Sequence, residues 1–152
     1  MAKDNLPILD KSVEDVHLWL NSLMRHLSGR DRVQAFHLLK AVLHALRDRI
    51  GPENAVHFSA QLPLIIRGLF FEGWKMSAPA SHERHVADFL EHVGRELDQD
   101  HRLDLEASVR AVFAVIWERV DQGEVAKLMR IFPVELRVLW QSEAVSARIA
   151  KG

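Results

Sequence analysis

The sequence predicts an all-α fold: a helical domain of about eight helices, built from two tandem copies of a four-helix unit. Three observations predict it. Sliding the chain against itself by 70 residues aligns AVLHALRDRI (41–50) with AVFAVIWERV (111–120), and the apolar positions stay in register on both sides. Apolar residues recur at the three-four spacing of a helix that buries one stripe. No segment alternates apolar and polar residues as a half-buried strand would.

The elements follow in order. The first helix carries apolar residues at 13, 16, 20, 23 and 27, and Ser12 with Asp15 resembles a capping box at its start, with Asp in place of the usual Glu. The second, near 32–50, is apolar almost all round, as is its counterpart containing AVFAVIW, so these are the central helices. Gly51-Pro52 ends the second helix and starts a short third one through about Gln61. Pro63 then opens a fourth. In the second copy Val86, Phe89, Leu90, Val93 and Leu97 stand where the first has Val16, Trp19, Leu20, Leu23 and Leu27. Pro133, Arg137 and Leu139 likewise stand for Pro63, Arg67 and Leu69. The boundaries are repeat one at 12–70, a linker at 71–81, repeat two at 82–140 and a tail at 141–152, all within one domain spanning 1–152.

Composition narrows the function classes. A chain of 152 residues with 48% hydrophobic residues has enough apolar material for one core. With 20 Lys plus Arg against 21 Asp plus Glu, the net charge is −1, and no global field draws the chain to nucleic acid or acidic lipid. The absence of cysteine removes disulfides, thiol catalysis and thiolate metal sites, and fits a reducing compartment. The N-terminal segment has acids throughout and no signal-peptide core, and the longest apolar runs fall far short of a membrane span. The expectation is a soluble, cytoplasmic protein.

The stretch QLPLIIRGLFFEGW (61–74) concentrates the candidate chemistry. Its first part repeats around Pro133 and reads as scaffold: Leu64, Ile65, Leu69 and Phe70 pack inward, Gly68 admits a neighbouring helix, and Gly73 caps the C-terminus. The ending Phe71-Glu72-Gly73-Trp74 has no counterpart, and its aromatics can pack in the core, line a groove or anchor a partner. Arg67 sits mid-helix with Glu72 as candidate partner, or binds an anion with Arg47, Arg49 and His57. Arg49 and Arg119 end the central helices, where a cation meets the last carbonyls.

Nine histidines invite a metal reading, and His85, Asp88, His92 and Glu96 occupy one helical flank. No HExxH and no paired Glu-x-x-His accompany them, so no metal and no cofactor is expected, and solvated charge is the alternative for that flank. His37 and His44 share a flank bordering solvent. No serine lies in a GxSxG elbow and no Gly-rich phosphate loop occurs. PLIIRGLFFEGW and PVELRVLWQSE are too apolar and acidic for recognition helices, which sets nucleic acid aside.

KAVLHALRDRI followed by HFSAQLPLIIRGLFFEGW resembles the bacterial domain-of-unknown-function family 2267. Arg47, Arg49, His57, Gln61, Pro63, Arg67, Gly68, Glu72, Gly73 and Trp74 sit on its pattern, and AVFAVIWERV, GEV and FPVELRVLW resemble its second half. Phe70-Phe71 stands where that pattern has tyrosines, which removes hydroxyls. The resemblance implies no activity. GEVAKLMRIFPVELRVL is also similar to the short repeats of regulatory domains built from stacked helix pairs.

Two functions follow as expectations. One is an interaction or regulatory module that binds a protein partner or forms a homo-oligomer through exposed aromatics, Phe71 and Trp74 among them. The other is a small-molecule or anion pocket between the copies, lined by Arg67, Glu72, Trp74 and His57, with or without catalysis.

Overall fold

A computed structural model describes residues 6–97 and 104–140. Those residues form seven α-helices and a closing 3₁₀ helix, with no strand among them: α1 (Pro7–His26), α2 (Arg32–Ile50), α3 (Pro52–Ser59), α4 (Leu64–Phe71), α5 (Val86–Gly94), α6 (Leu105–Arg119), α7 (Gln122–Ile131) and the 3₁₀ helix (Val134–Trp140). The protein is all-α. The tail expected at 141–152 lies outside the described residues.

Local chemistry sets the ends. Helix α1 starts at Pro7, whose missing N–H costs nothing in the first turn, and Leu6 before it is extended. The capping box expected at Ser12 and Asp15 is therefore absent: Ser12 lies inside α1 and its hydroxyl donates to the Ile8 carbonyl (2.6 Å). A capping box does form at Asp31, whose carboxylate accepts from the Gln34 N–H while the Gln34 side chain accepts from the Asp31 N–H. Asp104 and Asp121 cap α6 and α7 with their carboxylates. Gly73, at φ +70°, occupies the left-handed position after α4 as expected, whereas Gly68 faces open space and admits no helix. Helix α3 ends at Ser59, short of Gln61, and Pro133 opens a 3₁₀ helix where Pro63 opens an α-helix. The Leu136 N–H donates to the Pro133 carbonyl (2.9 Å), the i to i+3 bond of that tighter winding.

Helix α2 touches α1, α3, α4, α5 and α6, and α6 touches α1, α2, α5, α7 and the 3₁₀ helix. This position explains their all-round apolar sequences: Val42, Leu43, Leu46, Val112, Phe113 and Ile116 are fully buried. The contacts come in matched sets. Helix α2 with α1, α3 and α4 repeats as α6 with α5, α7 and the 3₁₀ helix, while α1 crosses to α6 and α5 crosses to α2. Arg67 donates to the carbonyls of Ser59 and Leu62 (both 2.9 Å), and Arg137 donates to those of Phe132 (3.0 Å) and Arg130 (3.1 Å). In each case a guanidinium adds a donor to carbonyls where a short helix ends.

Candidate functional site

The expected site residues do not converge. Arg67 is not paired with Glu72, which salt-bridges Lys40 (3.0 Å) at an exposed position. Five residues apart, the two face different sides of the chain, and the carbonyls near Arg67 occupy its donors first. His57 lies 3.3 Å from Glu124 in a small cleft between α3 and α7. Arg49 donates to the Glu83 carbonyl (2.7 Å); burial lowers its guanidinium from the ordinary value, with Arg84 adding to the effect and Glu83 opposing it. Phe71 and Trp74 stack on one another (5.2 Å, 27°) and are half-buried rather than exposed. The histidine flank also disperses: His85 meets Glu135 (2.6 Å), His92 meets Glu83 and Asp48, and Glu96 meets His44. Among the described residues no three His, Asp or Glu side chains are grouped to hold a metal ion.

Two cavities take up most of the polar chemistry. The first, about 260 Å³, lies under the linker and is walled by Trp74, Arg47, Asp48, Ser81 and His92. Its charged groups are joined in a chain. The Arg47 Nε donates to Asp48 (2.9 Å), His92 places Nε2 3.3 Å from Asp48 and Nδ1 2.8 Å from Glu83, and the Ser81 hydroxyl donates to Glu83 (3.0 Å). The Ser81 N–H donates to the Asp48 carbonyl (2.9 Å), so side chain and backbone both fasten the linker to the end of α2. Arg47, almost fully buried, also donates from Nη1 to the carbonyls of Phe70 and Glu72 (both 3.1 Å). His44, expected at the solvent border, is buried; its Nε2 donates to the Leu69 carbonyl (2.7 Å) and its Nδ1 faces Glu96 (2.8 Å).

This clasp titrates. The hydrogen bond to Asp48 is the largest influence on His92 and raises its pKa; burial opposes it, and Glu83 adds to the rise. For Asp48 burial is the largest influence and pushes upward, but hydrogen bonds and charge from His92 and Arg47 prevail and hold it below its ordinary value. A raised histidine stabilises fully below its ordinary 6.5 and loses that stabilisation as pH rises through the folded value. A lowered carboxyl stabilises above its ordinary 3.8 and loses the effect as pH falls through the folded value. The stability difference between wild type and His92→Gln, read from thermal unfolding, is expected to be largest between about pH 4 and 6.5 and to shrink above neutrality.

The second cavity is a groove of about 500 Å³ between α1 and the turn that joins α3 to α4. Ile8, Leu18, Trp19, Leu62, Pro63 and Leu64 supply its apolar wall, and Ile8 (58%), Leu64 (52%) and Leu18 (39%) remain open to solvent although large and apolar. Lys11 and Asp15 at the rim pair with each other (3.1 Å). Arg67 and Arg119 also line the groove, one from each half of the chain. Both point to no acid: among the described residues no carboxylate lies within ion-pairing distance of either. Sequence reasoning placed Arg67 at a site but gave Arg119 only the role of a helix terminator. Its alignment with Arg49 is a signal of the helix end and carries none of the surface beside it.

A helical bundle with a cationic, apolar groove defines a class of architecture and names no activity. Residues 16–139 match the family described as uncharacterized conserved protein (DUF2267), and the chain belongs to that family. No curated protein matches the sequence. Among the described residues, no helix is long and apolar enough to cross a membrane.

Proposed function

We propose that the chain is a binding module of interaction or regulatory type, working by recognition rather than turnover, and that its recognition site is the groove between α1 and α4. The observation that carries this reading is the presence of Arg67 and Arg119, without acidic partners among the described residues, on a groove where Ile8, Leu18 and Leu64 stay open to solvent. The volume is within the range of small-molecule sites, and apolar walls with few polar groups are their usual make-up. Recognition is favoured over catalysis because the hydroxyls beside the groove are engaged: Ser12 donates to the Ile8 carbonyl and Ser22 receives guanidinium donors. The reading treats the two halves as tandem copies with the groove where they meet; the matched helix contacts and the Arg67 and Arg137 pair support that.

Leu64→Glu tests it, since Leu64 is exposed and its replacement leaves the core intact. In native mass spectrometry of gently purified protein, the wild type is expected to carry a non-covalent mass that vanishes on denaturation, and Leu64→Glu to carry none. A bare wild type, or a variant that keeps the mass, contradicts the proposal.

A further inference from the structure

We infer that the groove binds an amphipathic anion, a carboxylate or phosphate head group on an apolar body of roughly eight or more carbons. The inference rests on the reading of the groove as the recognition site and adds the class of ligand. Its starting point is an excess of donors at one oxygen. Ser22, on the same face of α1 as Leu18 and Asp15, has a fully buried side chain, and its hydroxyl oxygen receives Nη2 of Arg25 (3.1 Å) as well as Nε (2.9 Å) and Nη2 of Arg119. A hydroxyl oxygen has two lone pairs. Three guanidinium N–H groups therefore converge on a neutral acceptor that serves two well, and among the described residues no carboxylate answers Arg25 either.

Charge and shape agree with that chemistry. Lys11 and Asp15 cancel, so Arg67 and Arg119 set the sign of the groove, and a low-dielectric wall strengthens their pull on an anion. Guanidinium forks match the oxygens of carboxylate and phosphate and hold them more strongly than a hydroxyl. Ile8, Leu18 and Leu64 are large apolar side chains that a bare inorganic ion leaves wet, whereas an alkyl or aromatic body covers them. The shared requirement is an oxyanion beside an apolar chain.

Calorimetric titration of the full chain with octanoate, octyl phosphate, octanol and acetate tests it. One charged eight-carbon probe is expected to saturate a single site, the tighter of the two identifying the head group. Octanol is expected to bind at least about tenfold more weakly for want of charge-assisted hydrogen bonds. Acetate is expected to bind roughly a hundredfold more weakly or worse for want of apolar area. Arg119→Gln lowers affinity for the charged probe about tenfold and leaves octanol unchanged. Should that variant unfold early, the wild type supplies the same information, its affinity for the charged probe falling severalfold as salt rises from about 20 to 200 mM. Equal binding of octanol and octanoate, or undiminished octanoate binding by Arg119→Gln, overturns the anionic class. No saturation by any probe overturns it as well. If the co-purified mass is still lost in Leu64→Glu, the groove stands as the recognition site and the ligand class alone falls.

Discussion

Replacing Phe113 by alanine is expected to cost about 4 kcal/mol of stability, the largest loss of any single truncation considered, and to lower Tm by about 10 °C. Phe113 is fully buried on α6, stacked on Trp140 (4.0 Å between ring centroids, 15° between planes) and tilted against Phe89 (6.1 Å) and Phe132 (6.0 Å). These four rings join α5, α6, the end of α7 and the 3₁₀ helix, so the loss combines transfer of the ring with a cavity bounded by rigid aromatics that fill it poorly. Denaturant unfolding followed by circular dichroism checks the figure. A loss below about 1 kcal/mol means that the ring cluster does not fasten the second half in this way.

Arg47→Met is expected to cost about 3 kcal/mol although methionine preserves the apolar stem. The guanidinium holds the carbonyls of Phe70 and Glu72 and the carboxylate of Asp48, and the residue is only 6% exposed. Removing it leaves two carbonyls at the end of α4 and one carboxylate at the end of α2 short of a donor. Breaking one side of a buried charged network costs more than the network contributes in total, because the remaining groups stay desolvated. Hydrogen exchange is expected to rise first at the end of α4 and in the linker around Trp74. A uniform rise across the protein contradicts this assignment.

Much of the helical frame was legible because its signals are local. Gly51-Pro52, Pro63 and the three-four spacing of apolar residues act within one or two turns and place α2, α3 and α4 within a few residues. The start of α1 was misread for a local reason as well: Pro7 begins the helix, and Ser12 with Asp15 imitates a cap inside it. The site was far less legible. A sequence displays the charge of Arg67 but not that backbone carbonyls near a helix end compete with Glu72 for its donors. Arg119 and Ser22 are 97 positions apart in sequence and meet only because α1 crosses to α6. Similarly, Phe71 and Trp74 read equally well as core, groove or anchor, and only the fold of the linker over α2 decides that they stack half-buried beside the smaller cavity.

The most direct test of the groove as the recognition site is nuclear magnetic resonance of the ¹⁵N-labelled chain during addition of octanoate, because the two cavities carry different reporters. Trp19 lines the groove and Trp74 lines the cavity under the linker. The account predicts saturable shifts at the Trp19 indole N–H and at the side-chain Nε–H of Arg67 and Arg119, with the Trp74 indole unmoved. Shifts at Trp74 without shifts at Trp19 contradict it, whereas no saturable shift at either overturns the ligand class.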